Sequence, residues 1–441
     1  MKLIRKVFIV LFLVLVADWA IGQTPQIEFT QFTLDNGLHV ILHEDNTTPN
    51  VVVNIMYHVG SKNETPDRTG FAHFFEHLMF EGSKHIKRHE FTEIVESAGG
   101  ALNAWTNFDL TNYFVLMPSN QLELGLWLEA ERLLHPVIDS IGIATQKSVV
   151  TEEMKQVRDN RPYGRLLIET ISRAFTKHNY RWDVLGTASH INEATYSEIR
   201  DFHNMFYVPN NAVLVIAGDI NKDETKRLVE KYFGDIPRGT KEIRRPLPNE
   251  PRRTVEVRDT VFDNIQIPLI VQAYKIPAQG TPDFYAIELL GNLLSEGESS
   301  RLFKRLVDQE QKALQVASVP LALEHPGLNV VYALANMGVD PQDVEKIINE
   351  EIERVRTEII TEAELQKLKN QIESRMVTAN TTIARRATNL ATYHLLSGDA
   401  NLINTELEMY MRVTREDIKR VAQEYLRPDN RVVLYFLPHP N

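Results

Sequence analysis

The sequence predicts an α+β protein of two homologous α/β-sandwich half-domains, produced by internal duplication and joined by an extended linker; three observations predict it. Residues 199–214, IRDFHNMFYVPNNAVL, share a pattern with residues 418–433, IKRVAQEYLRPDNRVV, at an offset of 219: helix, aromatic, proline-led turn with asparagine, then strand. A weaker echo aligns FAHFFEHLMFEG (71–82) with AIELLGNLLSEG (286–297) at an offset of 215. Between the copies, residues 238–253 read RGTKEIRRPLPNEPRR, rich in proline and arginine and without apolar periodicity, as expected of a solvated surface connection. Two similar halves facing each other across that linker follow from these repeats.

Along the first half, residues 29–42 alternate around Asp35-Asn36-Gly37, a strong hairpin signal, and residues 51–59 read as the next strand. A helix is predicted from about Thr69. Residues 101–106 and 111–116 form a second strand pair, and helical patterns cover most of residues 119–177. A helix over 198–206, a strand over 212–217 and a helix over 222–233 close the half. The expected division is therefore 1–22 leader, 23–237 first half, 238–256 linker and 257–441 second half.

The leader is read from Lys2, Arg5 and Lys6 ahead of an apolar run from Val7 to Ala17, with the small residues of Ala20-Ile21-Gly22 at a cleavage site. That run falls short of the roughly 20 residues a membrane-spanning helix needs, and no later segment is apolar for long enough. The expectation is a cleaved signal peptide, with no transmembrane segment after its removal and a periplasmic or secreted location. The chain has no cysteine, which removes lipoprotein attachment, disulfides, thiolate metal ligands and cysteine nucleophiles. Lys2, Arg5, Lys6 and Asp18 carry +2 of the net charge of −11, leaving −13 after cleavage. So acidic a surface argues against nucleic acid as a partner.

His73-Phe74-Phe75-Glu76-His77 places two imidazoles four residues apart, on one helical face one turn from each other. Two neutral imidazoles so placed suit zinc, and Glu76 lies close enough on the same stripe to act on an attacking water as general base. This is the inverted order of the zincin signature. At the equivalent second-half positions stand Glu288, Gly291 and Asn292, so the helix recurs there without the chemistry. A catalytic zinc needs a third ligand from a separate element. Spacing alone does not choose it; Glu152 and Glu153 in SVVTEEMKQV are both candidates.

GFAHFFEHLMFEGS (70–83), followed by a glutamate 76 residues beyond the second histidine, resembles the pitrilysin/insulinase family of inverted-motif zinc peptidases, which includes the mitochondrial processing peptidases. GGALNAWTNFDLTNYF (99–114), the helix and strand of 199–219 and GESSRL (297–302) extend the resemblance over nearly the whole chain. It implies a zinc metalloendopeptidase holding one Zn2+ per chain on His73, His77 and Glu153, with Glu76 as base. It further implies that Asn103 and Ala104 lie on an edge strand beside the zinc, where an extended peptide substrate adds as one more strand.

Two departures stand out. Gln146 replaces a glutamate common in the family seven residues before the third ligand, and alters the groups behind the zinc. The family's Arg and Tyr, seven apart after the SRL segment, align with Val307 and Leu314. The resemblance then implies a heterodimer with a homologous subunit that lacks the zinc motif but carries the Arg/Tyr pair, a homodimer being the other arrangement. The contrasting function class is a non-catalytic binding or assembly subunit of the same fold.

Overall fold

A computed structural model describes residues 26–245 and 250–440; the leader expected over 1–22 lies outside the described residues. The first half contains β1 (Thr30–Thr33), β2 (His39–Glu44), β3 (Asn50–Tyr57), α1 (Phe71–Leu78), α2 (Glu90–Ser97), β4 (Ala101–Thr106), β5 (Thr111–Pro118), α3 (Leu122–Leu134), α4 (Ser140–Met154), α5 (Leu166–Ala174), α6 (Ala188–Glu193), α7 (Tyr196–Phe206), β6 (Ala212–Gly218) and α8 (Lys222–Phe233). The second contains β7 (Val257–Asp263), β8 (Leu269–Lys275), α9 (Pro282–Ser295), β9 (Ala313–Leu321), β10 (Leu328–Ala335), α10 (Pro341–Thr357), α11 (Glu362–Ala379), α12 (Ile383–Ser397), α13 (Leu402–Arg412), α14 (Arg415–Tyr425) and β11 (Arg431–Pro438).

The strands form two sheets, ordered β1-β2-β6-β3-β5-β4 and β7-β11-β8-β10-β9. Without β1, the two orders are identical position for position, which is the duplication expressed in topology. In each, the last strand of the half enters between the first two, pairing parallel with one (β2–β6, β7–β11) and antiparallel with the other (β6–β3, β11–β8). The hairpin read at Asp35-Asn36-Gly37 joins β1 to β2, with Thr33 opposite His39 and Gly37 at φ +88°.

The central strands of both sheets are buried on both faces, which explains strands such as VVVNIMY that are apolar almost throughout. In β3, Val51, Val53, Ile55 and Tyr57 face the first half's own helices, with Phe74 and Phe75 of α1, Phe206 of α7 and Phe233 of α8 in the same core. Val52 and Met56 face the other way and pack on Ala387, Leu390 and Ala391 of α12, a second-half helix. The converse holds for the second sheet, where Val271, Ala273, Val432 and Leu434 pack on Ile171 and Ala174 of α5. Each half therefore covers one face of its own sheet and one face of its partner's.

Three of the connecting arginines depart from the solvated expectation, while Arg252 stays exposed and pairs with Glu424. Arg244 donates to the Asn63 carbonyl at 2.9 Å, Arg245 donates to the His58 carbonyl and the Asn211 side chain, and Arg253 donates to the Arg173 carbonyl at 2.7 Å. Carbonyls left free at the seam between halves give the guanidinium groups partners that solvent would otherwise supply.

Two features position α1. Gly70 precedes it at φ +91°, where an added Cβ would lie 2.6 Å from the Leu185 carbonyl. The buried Glu64 carboxyl accepts from the Gly70 and Ala72 amides, both at 2.9 Å, closing the helix N-terminus by hydrogen bonding, while burial pushes its pKa up to about 8. Glu64→Ala leaves both amides without that acceptor and should cost about 1–3 kcal/mol; denaturant unfolding at wild-type midpoint would contradict this capping role.

The halves also meet where His39 of β2 stacks on His394 of α12, centroids 3.7 Å apart and planes 7° apart. Burial, then the charge His394 would carry, lowers His39 to about 4; burial is also the largest cause lowering His178 and His203 to about 4. These rings are neutral in the folded chain and revert to about 6.5 on unfolding. Their contribution to stability is full above that unfolded value and is lost as pH falls through about 4. The melting temperature should fall over this window, and more shallowly in His39→Gln; an identical slope in the variant counts against the stack as a contributor.

Candidate metal centre and catalytic site

Helix α1 projects His73 and His77 from one face, and their Nε2 atoms stand 3.3 Å apart. On α4, Glu153 turns its carboxylate onto both rings: Oε2 lies 3.6 Å from His73 Nε2 and 3.3 Å from His77 Nε2. A tetrahedral ion with bonds near 2.0 Å has donors about 3.3 Å apart along each edge, so the three separations already approximate one face of such a tetrahedron. Two imidazole nitrogens and a carboxylate oxygen are a borderline donor set suited to zinc, with the fourth position open. The neighbouring Glu152 is exposed and pairs with Lys155 at 3.4 Å, so the two glutamates that spacing left equal are separated by helical phase. Just after Glu153, α4 widens into a π-type turn over Lys155–Asp159.

The environment sorts the titratable groups. Burial, then the neighbouring His77, lowers His73 to about 4 and keeps its lone pair free of a proton. Burial also pulls His77 down, but the hydrogen bond and charge of Glu153, aided by Glu76, outweigh it and raise the ring above its ordinary value. The same hydrogen bond holds Glu153 below the usual carboxylate range, although burial opposes it. Glu76 moves the other way: burial raises it, only partly offset by a 2.7 Å hydrogen bond from Thr106 Oγ1. One carboxylate is thus biased toward the anion and the other toward proton uptake.

Asn103 and Ala104 lie on β4, the terminal strand of its sheet, bordering α1. The Ala104 amide donates to its neighbour's Asn103 Oδ1 at 2.9 Å, a local bond made outside the β4–β5 ladder. Thr106, at the end of this strand, carries no motif signal, and sequence reasoning missed it. Gln146 Nε2 donates to Glu81 Oε1 at 2.6 Å, and Glu81 Oε2 meets Arg88 at 2.6 Å. The buried Glu81 was also missed; its place four residues after His77, one turn beyond the motif, was the available signal.

In the second half, Glu288 accepts from Tyr410 and Arg375, both at 2.5 Å, which commits its carboxylate to local bonds. Val307 packs on the second core and Leu314 is exposed on β9; neither side chain can donate a hydrogen bond.

Residues 39–187 match the sequence family described as insulinase (peptidase family M16), and residues 193–372 match the peptidase M16 inactive domain. Zinc protease PqqE of Helicobacter pylori is 31% identical over 412 residues, covering 92% of both chains, and the uncharacterized zinc protease YmxG of Bacillus subtilis is 24% identical, covering 92% and 97%. A crystal structure of a Helicobacter pylori protease superposes with a TM-score of 0.89 at 29% identity, covering 93% of this chain and all of that one. The periplasmic protease PqqL of Escherichia coli shares the fold at a TM-score of 0.77 and 18% identity, over 94% of this chain and 48% of that one. On these matches the chain belongs to the pitrilysin/insulinase (M16) peptidase family.

Proposed function

We propose that this chain is the zinc-bearing subunit of an exported endopeptidase that hydrolyses unfolded peptides or oligopeptides. The observation that carries the reading is the convergence of His73, His77 and Glu153 at the separations of a tetrahedral face, with Glu76 beside them on the same helix. One zinc per chain, held by those three residues, would supply polarisation of the scissile carbonyl and a lowered pKa for water. Glu76 takes the proton of the attacking water and returns it to the leaving amine, a role helped by the burial that raises its proton affinity. Thr106 holds its carboxylate in place. The outer edge of β4, at Asn103 and Ala104, aligns an extended peptide through backbone hydrogen bonds. Gln146 and Glu81 form the polar support behind α1. The basic leader ahead of its apolar run supports export to the periplasm or beyond.

Val307 and Leu314 leave the developing oxyanion without an arginine and a tyrosine. A homologous subunit lacking the zinc motif but carrying that pair would complete the site, with a homodimer as the simpler arrangement. The Escherichia coli chain is matched along 48% of its length, which is consistent with two such units working together.

Glu76→Gln should retain zinc while kcat falls by about 10²–10⁴, and His77→Ala should lose the metal of this site. Metal analysis beside hydrolysis of a quenched peptide checks both. Wild-type turnover by Glu76→Gln, with the partner supplied, removes Glu76 as the base. Adding the partner subunit should raise turnover about 10²–10³-fold, the scale of one oxyanion donor; equal turnover with and without it argues for the homodimer. The match of residues 193–372 to an inactive domain supports a second reading, a non-catalytic binding subunit. A zinc-loaded chain that cleaves nothing in any pairing would favour it.

A further inference from the structure

The loop that follows α1 carries a second convergence of metal-binding side chains, separate from the site above. His85 Nδ1 lies 2.9 Å from Glu131 Oε1, and His135 Nδ1 lies 3.3 Å from the same oxygen. Donor atoms of all three residues lie within 4.8 Å of one another. The two rings stand at 89° with centroids 5.7 Å apart, so they approach the carboxylate from different directions.

The arrangement is anchored. Glu131 and His135 are one helical turn apart at the end of α3. Ser83 Oγ donates to the second carboxylate oxygen, Glu131 Oε2, at 2.8 Å and fixes its rotamer. The loop bearing His85 is tied to the helix end by Lys84 N to His135 O, and Val137 N to Gly82 O, both at 3.0 Å. The carboxylate is almost fully buried, with a side-chain exposure of 8%, while the imidazoles of His85 (51%) and His135 (32%) reach solvent. Further coordination positions would therefore face water.

We propose that His85, Glu131 and His135 form a second site for a borderline divalent transition metal, of which zinc is the physiological example. The donor set, two imidazole nitrogens and one carboxylate oxygen, equals that of the first site. The two separations, 2.9 and 3.3 Å, lie at or just below the edge of about 3.3 Å expected around a tetrahedral ion. Each neutral ring need only carry its proton on Nε2 to offer Nδ1 to the metal. Binding is weaker than at the first site, because the ion replaces two existing hydrogen bonds and the rings are exposed. Its effect is to clamp the 83–86 loop to α3, and so to stabilise the folded chain by linkage. This inference does not rest on the proposed peptidase activity.

The full-length mature chain, stripped of metal and equilibrated against buffered zinc from about 1 nM to about 100 µM, tests it. Elemental analysis should find two equivalents in the wild type. One equivalent should remain in His85→Ala/His135→Ala, with peptide hydrolysis unchanged, and one in His77→Ala. Zinc should still raise the melting temperature of His77→Ala, and this shift should vanish when the His85 and His135 substitutions are added. A single equivalent in the wild type that persists in His85→Ala/His135→Ala overturns the proposal. So does a second equivalent that survives loss of both histidines, which would be adventitious surface zinc only.

Discussion

A sheet apolar on both faces needs two covers, and in this chain each half supplies only one to itself. The second cover is exchanged: α5 crosses to the second sheet and α12 to the first. Burial of Val52, Met56 and their neighbours thus depends on a helix more than 300 residues away in sequence, and the halves cannot fold as independent bodies without exposing a full sheet face. The same crossing shapes the metal centre. Glu153 sits at the end of α4, where the helix widens into a π-type turn on the way to α5. The third donor therefore lies where the chain leaves its own half.

Duplication supplied the frame twice and the chemistry once. The strand orders coincide, yet the first copy places imidazoles where the second places Glu288 and Asn292. The second copy instead uses Glu288 to join α9 to α11 and α13 through Arg375 and Tyr410. Each Glu288 oxygen accepts one local bond, and the second copy offers Gly291 and Asn292 where the first has Glu76 and His77. A polar seam lies between the halves. Lys62 is buried between Asp109, at 2.8 Å, and Glu324, and Glu324 also meets His58 at 2.7 Å. Burial alone would raise Glu324, but His58 and Lys62 hold it at about 2, so the bridge across the seam is charged.

Around α1 the same side-chain type performs several tasks because its surroundings differ. Glu64 caps the helix, Glu153 accepts a hydrogen bond from an imidazole and stays anionic, Glu76 is half-buried and biased toward proton uptake, and Glu81 joins Gln146 to Arg88. Environment rather than residue identity assigns these roles. The replacement of a common family glutamate by Gln146 is legible in these terms. With Glu81 2.6 Å away, an amide donor at this position avoids placing two carboxylates side by side.

The sequence by itself determined the duplication, the hairpin at Gly37, the succession of strands and helices along the first half and the helix carrying His73, Glu76 and His77. Each is encoded locally, in a period, a turn residue or a repeated pattern. Resemblance narrowed the third donor to Glu153 where spacing left Glu152 equal. Only tertiary structure decided what depends on distant segments meeting. Helical phase turned Glu153 rather than Glu152 toward the rings, Thr106 was brought to Glu76, and the linker arginines found carbonyls at the seam. It also drew His85 to Glu131, and carried α5 and α12 across to the opposite sheets. Hydrophobic periodicity records that a face is buried but not which element covers it, because burial is non-directional. The identity of each partner is therefore a property of the packed chain.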